Sequence, residues 1–106
     1  MALRITVIGA GPGGYTAAFD AAKRGAEVTL VEAKWLGGTC LNCGCIPTKT
    51  LCRHAEIIET LRKADDFGLS GLSYTIDFAK MMERKQQVVE SLRQGVESLL
   101  SKPGYL

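Results

Sequence analysis

Between Arg4 and Glu32 the sequence alternates in a way that leaves few folds open. Arg4 to Ile8, RITVI, is a β-branched run that stops at a glycine, and Glu27 to Glu32, EVTLVE, is a second run of the same kind. Between them lies the Ala-rich, helix-compatible segment Gly13 to Arg24, with Gly25 placed where a helix favours glycine just past its end. Strand, glycine turn, helix and strand within about 30 residues make a βαβ unit, which commits the chain to a parallel sheet with a right-handed crossover.

A parallel sheet has to be covered on both faces, and two strands are few for one. At 106 residues the chain has room for one small domain or a piece of one. It reads as the beginning of a larger domain. Hydrophobic residues at 46% and charged residues at 23% suggest neither a disordered nor a membrane class. The net charge of +2 is spread in mixed order rather than along a basic stripe, so no nucleic-acid partner is expected. No apolar run approaches the roughly 18 residues of a membrane span. Met1 to Gly9, MALRITVIG, enters the first strand without a leader-like apolar region, so the expected location is cytoplasmic. Thiols there are kept reduced, and clustered cysteines are more often catalytic or metal-binding than structural.

Later in the chain, Leu51, Ala55, Ile58 and Leu61 recur at helical spacing up to Asp65-Asp66-Phe67-Gly68, and Pro47 suits the first turn of that helix. Gly68 to Ile76 reads as a loop or short edge strand. Asp77 caps a long last helix with apolar positions at Phe78, Met81, Val88, Val89, Leu92, Val96, Leu99 and Leu100. That stripe is expected to pack on the chain's own core.

Gly9-Ala10-Gly11-Pro12-Gly13-Gly14 contains GxGxxG, a weak signal alone. Here it follows a strand, opens a helix and precedes Glu32 by 18 residues, the context of a dinucleotide site. Gly9 permits the turn, Gly11 the approach of a pyrophosphate, and Gly14 close packing of helix on strand. The helix N-terminus supplies free N–H groups to the phosphates. Glu32 is the expected acceptor for an adenosine ribose and repels a 2′-phosphate, so FAD or NAD fits and NADP fits poorly.

The stretch GTCLNCGCIP holds Cys40, Cys43 and Cys45 within six residues, and Cys52 follows. Three readings are open. A zinc site needs tetrahedral ligands, often from two CxxC pairs, and only one is present. A thioredoxin-like pair of Cys40 with Cys43 would sit at a helix N-terminus that lowers a thiol pKa. A pair of Cys40 with Cys45 is too long for a regular helix, where five residues rise about 7.5 Å, against the roughly 7 Å that a disulfide tolerates. Gly44 and Pro47 suit the departure from helix that this pair requires. Such a bond closes a loop worth about 2 kcal/mol in the chain-entropy model, which suits opening and closing better than stapling.

Gly37-Gly38-Thr39-Cys40-Leu41-Asn42-Cys43-Gly44-Cys45-Ile46-Pro47-Thr48-Lys49 resembles the GGTCxNxGCxPxK signature of the class I pyridine nucleotide-disulfide oxidoreductases, and among them the dihydrolipoamide dehydrogenases. The likeness runs from the glycine motif to the last helix. It implies an α/β fold, a Rossmann-like βαβ segment of an FAD-binding domain followed by two long helices, with residues 1–106 as its amino-terminal part and the NAD and dimerisation domains lying outside them.

By this resemblance Cys40 is the interchange thiol that meets substrate, Cys45 faces the flavin, and Lys49 lies near the flavin. FAD would be held by Gly9, Gly11, Pro12, Gly13, Gly14, Glu32, Ala33, Lys34, Gly38 and Thr39, together with Cys40, Cys45 and Lys49. The implied reaction passes electrons from a protein-bound dihydrolipoyl group through the two cysteines and FAD to NAD+. The implied partners are a lipoylated protein of a 2-oxo acid dehydrogenase or glycine cleavage complex and a second copy of the full-length protein. Cys43 and Cys52 are expected to be structural, Cys43 as a small core side chain. His54 does not match the family's base and is expected on a helix surface. Other family members, mercuric or glutathione reductase-like, and a non-catalytic nucleotide-binding or thiol-sensing module are the alternatives. Alone, these residues are expected to bind FAD weakly, to lack NAD-dependent turnover and to expose apolar faces that invite association.

Overall fold

The structure is a computed structural model, and it describes residues 1–101. β1 (Arg4–Ile8) and β2 (Glu27–Val31) pair in parallel, with Arg4 opposite Glu27 and Ile8 opposite Val31. Between them α1 (Pro12–Lys23) starts on Gly11, with proline in its first turn. Gly25 follows the last turn and donates its N–H to the Ala22 carbonyl, as expected for the residue after the cap.

Side chains alternate along each strand. Ile5 and Val7 on β1 and Val28 and Leu30 on β2 turn toward α1, whose Ala18 and Ala22 are buried. Alanine here lets helix and sheet come close. The closest approach is at Gly14, where a Cβ would lie 1.7 Å from the Gly9 carbonyl oxygen. The opposite sheet face has no cover from the described residues, and it leaves Ile8 and Val31 exposed.

Two helices follow, and they meet at the bend that a Cys40–Cys45 pair requires. α2 (Gly38–Asn42) is a single short turn, and α3 (Cys45–Arg62) starts afresh after Cys43 and Gly44. A 3-10 turn (Ala64–Phe67) and an irregular stretch with no strand lead to α4 (Phe78–Leu100). Asp77 caps α4 as expected, accepting the Lys80 N–H at 3.0 Å. α4 returns along α3. Its Lys80–Gln87 end shares a groove with His54, whereas Leu92 and Val96 reach Ile46 and Tyr15 beside the glycine turn.

Two expectations about helix faces are corrected. The inward stripe of α3 runs through Thr50, His54, Ile58 and Leu61, while Leu51 and Ala55 are exposed. Thr50 can be buried because its hydroxyl donates to the Ile46 carbonyl at 2.9 Å, so a polar residue takes a core position. On α4, Val89 and Leu100 are buried, but Phe78, Leu92 and Leu99 are 66%, 43% and 46% exposed. The helix is long enough to outrun the elements available to cover it. With a radius of gyration of 19.8 Å and extents of 70 × 25 × 19 Å, the chain is far more open than the roughly 13 Å radius of a compact domain of this length. No helix among the described residues is long and apolar enough to cross a membrane.

Gly14→Ala should destabilise the chain by about 3 kcal/mol or more, because the clashing atom is backbone and cannot swing away. Gly13→Ala, whose Cβ would meet nothing within 4 Å, should be neutral or stabilising by up to about 1 kcal/mol. Urea midpoints followed by circular dichroism separate the two.

Candidate functional site

The main chain of Ala10, a fully buried residue, ties the site together. Its N–H donates to Glu32 Oε2 at 2.7 Å, and its carbonyl accepts the Gly37 N–H at 2.8 Å. Gly9 N–H meanwhile donates to the Val31 carbonyl at 2.7 Å. The turn after β1, the end of β2 and the start of the cysteine loop are therefore joined through adjacent peptides. Glu32, one residue past β2 and half-buried, also accepts the Lys34 N–H at 3.3 Å.

These bonds, the one from Ala10 first, then those from Lys34 and Ala33, hold the Glu32 carboxyl below its ordinary value of 4.5 against a smaller opposing effect of burial. Each oxygen still has a lone pair to offer a sugar hydroxyl. Glu32 thus has a local role as well as the one expected of it.

Gly38 stands against Gly11. A Cβ on Gly38 would lie 2.6 Å from the Gly11 Cα, and Gly38 has φ +66, which side-chain-bearing residues rarely adopt. The phosphate-type turn and the cysteine loop touch backbone to backbone. At the N-terminus of α1, Pro12 has no N–H, and the Gly13 and Gly14 N–H groups have no acceptor within the helix and no side-chain cap. Gly9 and Gly13 have open space where a Cβ would stand. A diphosphate fits this cradle in charge and in room.

Cys40 and Cys45 form a disulfide with Cα atoms 4.7 Å apart. Cys40 lies within α2 and Cys45 opens α3, and the two helices are separated by Cys43 (φ −133, ψ −9) and Gly44 (φ −116, ψ −103). That break shortens the helical span, as the sequence required. A pocket of about 230 Å³ reaches Cys40 between Pro12, Gly37, Ile46 and Leu92. Thr39, Ala33, Lys34 and Lys49 are exposed around these elements.

Cys43 and Cys52 are free and exposed, which corrects the expectation that Cys43 is a core side chain. Cys43 is the residue that ends α2, so it turns outward where Leu41, two positions earlier, turns in. With two of the four cysteines in a disulfide, a four-thiolate zinc site is not available, and among the described residues no three metal-ligating side chains converge.

His54 is likewise corrected. It is half-buried on the inward stripe of α3, at a groove of about 530 Å³ with Asp77, Lys80 and Arg84, and its Nδ1 is enclosed without a hydrogen-bond partner. It lies midway along α3 rather than beside the disulfide.

The sequence reading missed Trp35, Asn42 and Arg93. Asn42 Nδ2 donates to the Leu36 and Gly38 carbonyls at 3.0 and 2.8 Å, and Arg93 Nε donates to Asn42 Oδ1 at 2.9 Å. The Arg93 guanidinium also stacks 4.2 Å above the Trp35 ring centroid. Asn42 lay inside the quoted motif, but nothing local linked it to a residue 51 positions away.

The family model described as pyridine nucleotide-disulphide oxidoreductase matches residues 3–105. A dihydrolipoyl dehydrogenase of Chlamydia muridarum is 50% identical over 94 residues, which is 89% of this chain and 20% of the relative. One of Acholeplasma laidlawii is 48% identical over 101 residues, 94% of this chain and 30% of the relative. Among solved structures, LpdA of Mycobacterium tuberculosis superposes with a TM-score of 0.84 at 26% identity, covering 92% of this chain and 21% of its own. The HOCl-induced flavoprotein disulfide reductase RclA of Escherichia coli, solved as a Cu(II) complex, gives 0.71 at 35% identity, covering 93% and 20%. The chain spans between 20% and 30% of the length of these relatives.

Two outcomes are expected. An alkylating agent should label Cys43 and Cys52 in the native chain, and Cys40 and Cys45 only after reduction, as peptide mass mapping would read. Because the folded pKa of Glu32 is depressed, the stability it contributes is present above 4.5 and is lost as pH falls through the lower folded value. Urea midpoints of the wild type and Glu32→Gln should therefore differ most above that pH and converge in acid.

Proposed function

The chain belongs to the pyridine nucleotide-disulphide oxidoreductase family, and from that premise we propose that it is the amino-terminal part of the FAD-binding domain of a dihydrolipoyl dehydrogenase. The observation that carries the reading is the Cys40–Cys45 disulfide, held against a glycine turn that opens a helix. Relatives at 46–50% identity that bear the name dihydrolipoyl dehydrogenase support the choice within the family. The substrate in this reading is a dihydrolipoyl group on a protein of a 2-oxo acid dehydrogenase or glycine cleavage complex. The working form is a cytoplasmic homodimer of the longer polypeptide.

The chemistry of the chain's own residues follows from the loop. One thiolate of the substrate attacks Cys40 Sγ, the Cys40–Cys45 bond breaks, and Cys45 leaves as thiolate. The second substrate thiolate then attacks the substrate sulfur of the mixed disulfide and releases Cys40. The substrate is oxidised to its disulfide, and the cysteine pair holds two electrons. FAD, when bound, supplies the acceptor for that electron pair, and NAD+ carries it away as hydride.

Gly13 and Gly14 present N–H groups, and the helix N-terminus its positive end, to the diphosphate of FAD. Glu32, beside the exposed Ala33 and Lys34, accepts from the ribose. Gly38, Thr39 and Lys49 complete the contacts in this reading. The substrate thiols must lose protons, and His54 lies too far along α3 to receive them. That base comes from another part of the longer polypeptide.

An absorption spectrum of the purified longer polypeptide tests the reading. Flavin bands are expected, with a new long-wavelength band after one equivalent of dithiol, from the Cys45 thiolate against the flavin. Cys40→Ser should show that band without dithiol, because Cys45 then has no partner, and Cys45→Ser should never show it. A colourless polypeptide, or a band that survives Cys45→Ser, overturns the proposal.

A further inference from the structure

The disulfide holds α2 only while it is closed, so something else must hold Cys40 in place once it opens. α2 has five residues and no side-chain cap, far below the length at which a helix persists by itself in water. Leu41 is buried and anchors one side. The other ties gather on Asn42, whose Nδ2 donates both to Leu36, ahead of the helix, and to Gly38, in its first turn. These two bonds bracket Cys40 along the chain.

An asparagine amide has two ends of nearly equal shape, and the bracket works only if Nδ2 faces the loop. Arg93 decides that. A guanidinium has donors and no acceptor, so its Nε, which donates to Oδ1 at 2.9 Å, can pair only with the oxygen end of the amide, and that end is turned toward α4. Arg93 is itself fixed by its stack on Trp35, which lies one residue before Leu36 in the same loop. Both arms of the arrangement thus start and end at the cysteine loop, with α4 as the outside support.

We propose that Arg93, acting through Asn42 and steadied by Trp35, is a positioning residue that keeps Cys40 within closing distance of Cys45 in the dithiol form. This rests on the reading above that the disulfide opens and closes in turnover. Its effect is on the equilibrium of the pair: with α2 held, the two thiols meet at high effective concentration and the disulfide resists reduction. With α2 loosened, the dithiol gains freedom and the bond opens more easily.

The test is the reduction potential of the Cys40–Cys45 pair in the full polypeptide. The protein is equilibrated against a series of oxidised-to-reduced dithiothreitol ratios, quenched with an alkylating agent and read by peptide mass mapping, which separates this bond from other cysteine pairings. Arg93→Met and Asn42→Ala should each favour the dithiol by about tenfold, about 30 mV for a two-electron couple. The double variant should shift no further than either single, since one residue acts through the other. Arg93→Lys, which donates but lacks the planar stack, should fall between.

Asn42→Asp supplies a second line of evidence if either other variant folds poorly. It keeps the acceptor for Arg93 and loses both donated bonds, so it should match Asn42→Ala. A merely stabilising role would lower the urea midpoint and leave the potential in place. Unchanged potentials in Arg93→Met, or single shifts that add in full, overturn the positioning role. Failure of the wild type to form a reducible Cys40–Cys45 bond overturns instead the reading on which it rests.

Discussion

The main chain of one residue organises this molecule. The N–H of Ala10 is held by a carboxylate at the end of β2 and its carbonyl by the first glycine of the cysteine loop. A hydrogen bond from a neutral N–H to an ionised carboxylate is stronger than one to another amide, and it is placed where the chain leaves β1 and must turn sharply. If the Glu32 contact were lost, the turn could tilt away from β2. If the Gly37 contact were lost, the loop carrying Cys40 would have only side-chain ties. The glycine that opens α2 follows from that arrangement: Gly38 sits so close to Gly11 that a Cβ on it would lie 2.6 Å from the Gly11 Cα.

From this centre the chemistry is distributed by distance from backbone restraint. The glycine turn is held by main-chain bonds of Gly9 and Ala10 and by the Glu32 carboxylate, so its shape is set by groups within the chain. The cysteine pair is less restrained. Cys40 belongs to a turn of helix too short to stand alone, and Cys45 to the start of a helix of 18 residues. The first cysteine is therefore the one whose position has to be maintained by packing and by side chains, and it is the one that lines a pocket open to the surface. Cys40, half-buried, is thus the less anchored member of the pair, while Cys45 is exposed at the head of α3.

How much was legible in the sequence depended on the range of the interaction. β1 could be read to the residue, the cap at Asp77 and the glycine after α1 could be recognised, and the bend between Cys40 and Cys45 could be anticipated, because each is settled within a few residues. The inward face of α3 was displaced because hydrophobic spacing cannot register Thr50, a polar residue made compatible with burial by a bond to its own helix. Cys43 was misplaced for a related reason. Its polarity suits a core, but the helix that carries it ends there, and direction rather than chemistry decides exposure. The Arg93–Asn42–Trp35 arrangement was out of reach altogether, since it exists only after α4 has folded back along α3.

The bare face of the sheet carries the remaining argument about what kind of object this is. A parallel pair presents Ile8 at 86% and Val31 at 46% exposure on the side away from α1, and strands of this type are ordinarily buried on both sides. α4 extends beyond its neighbours in the same manner, leaving Phe78, Leu92 and Leu99 uncovered. Ile8, Val31 and Leu92 border the glycine turn, which is itself tied by the bonds of Gly9 and Ala10. The glycine turn and the disulfide are thus built by local contacts, while the layer beneath them is covered on one face alone. An architecture split in this way lets the cysteine loop keep its shape through contacts of its own while the sheet beneath it stays bare on one side.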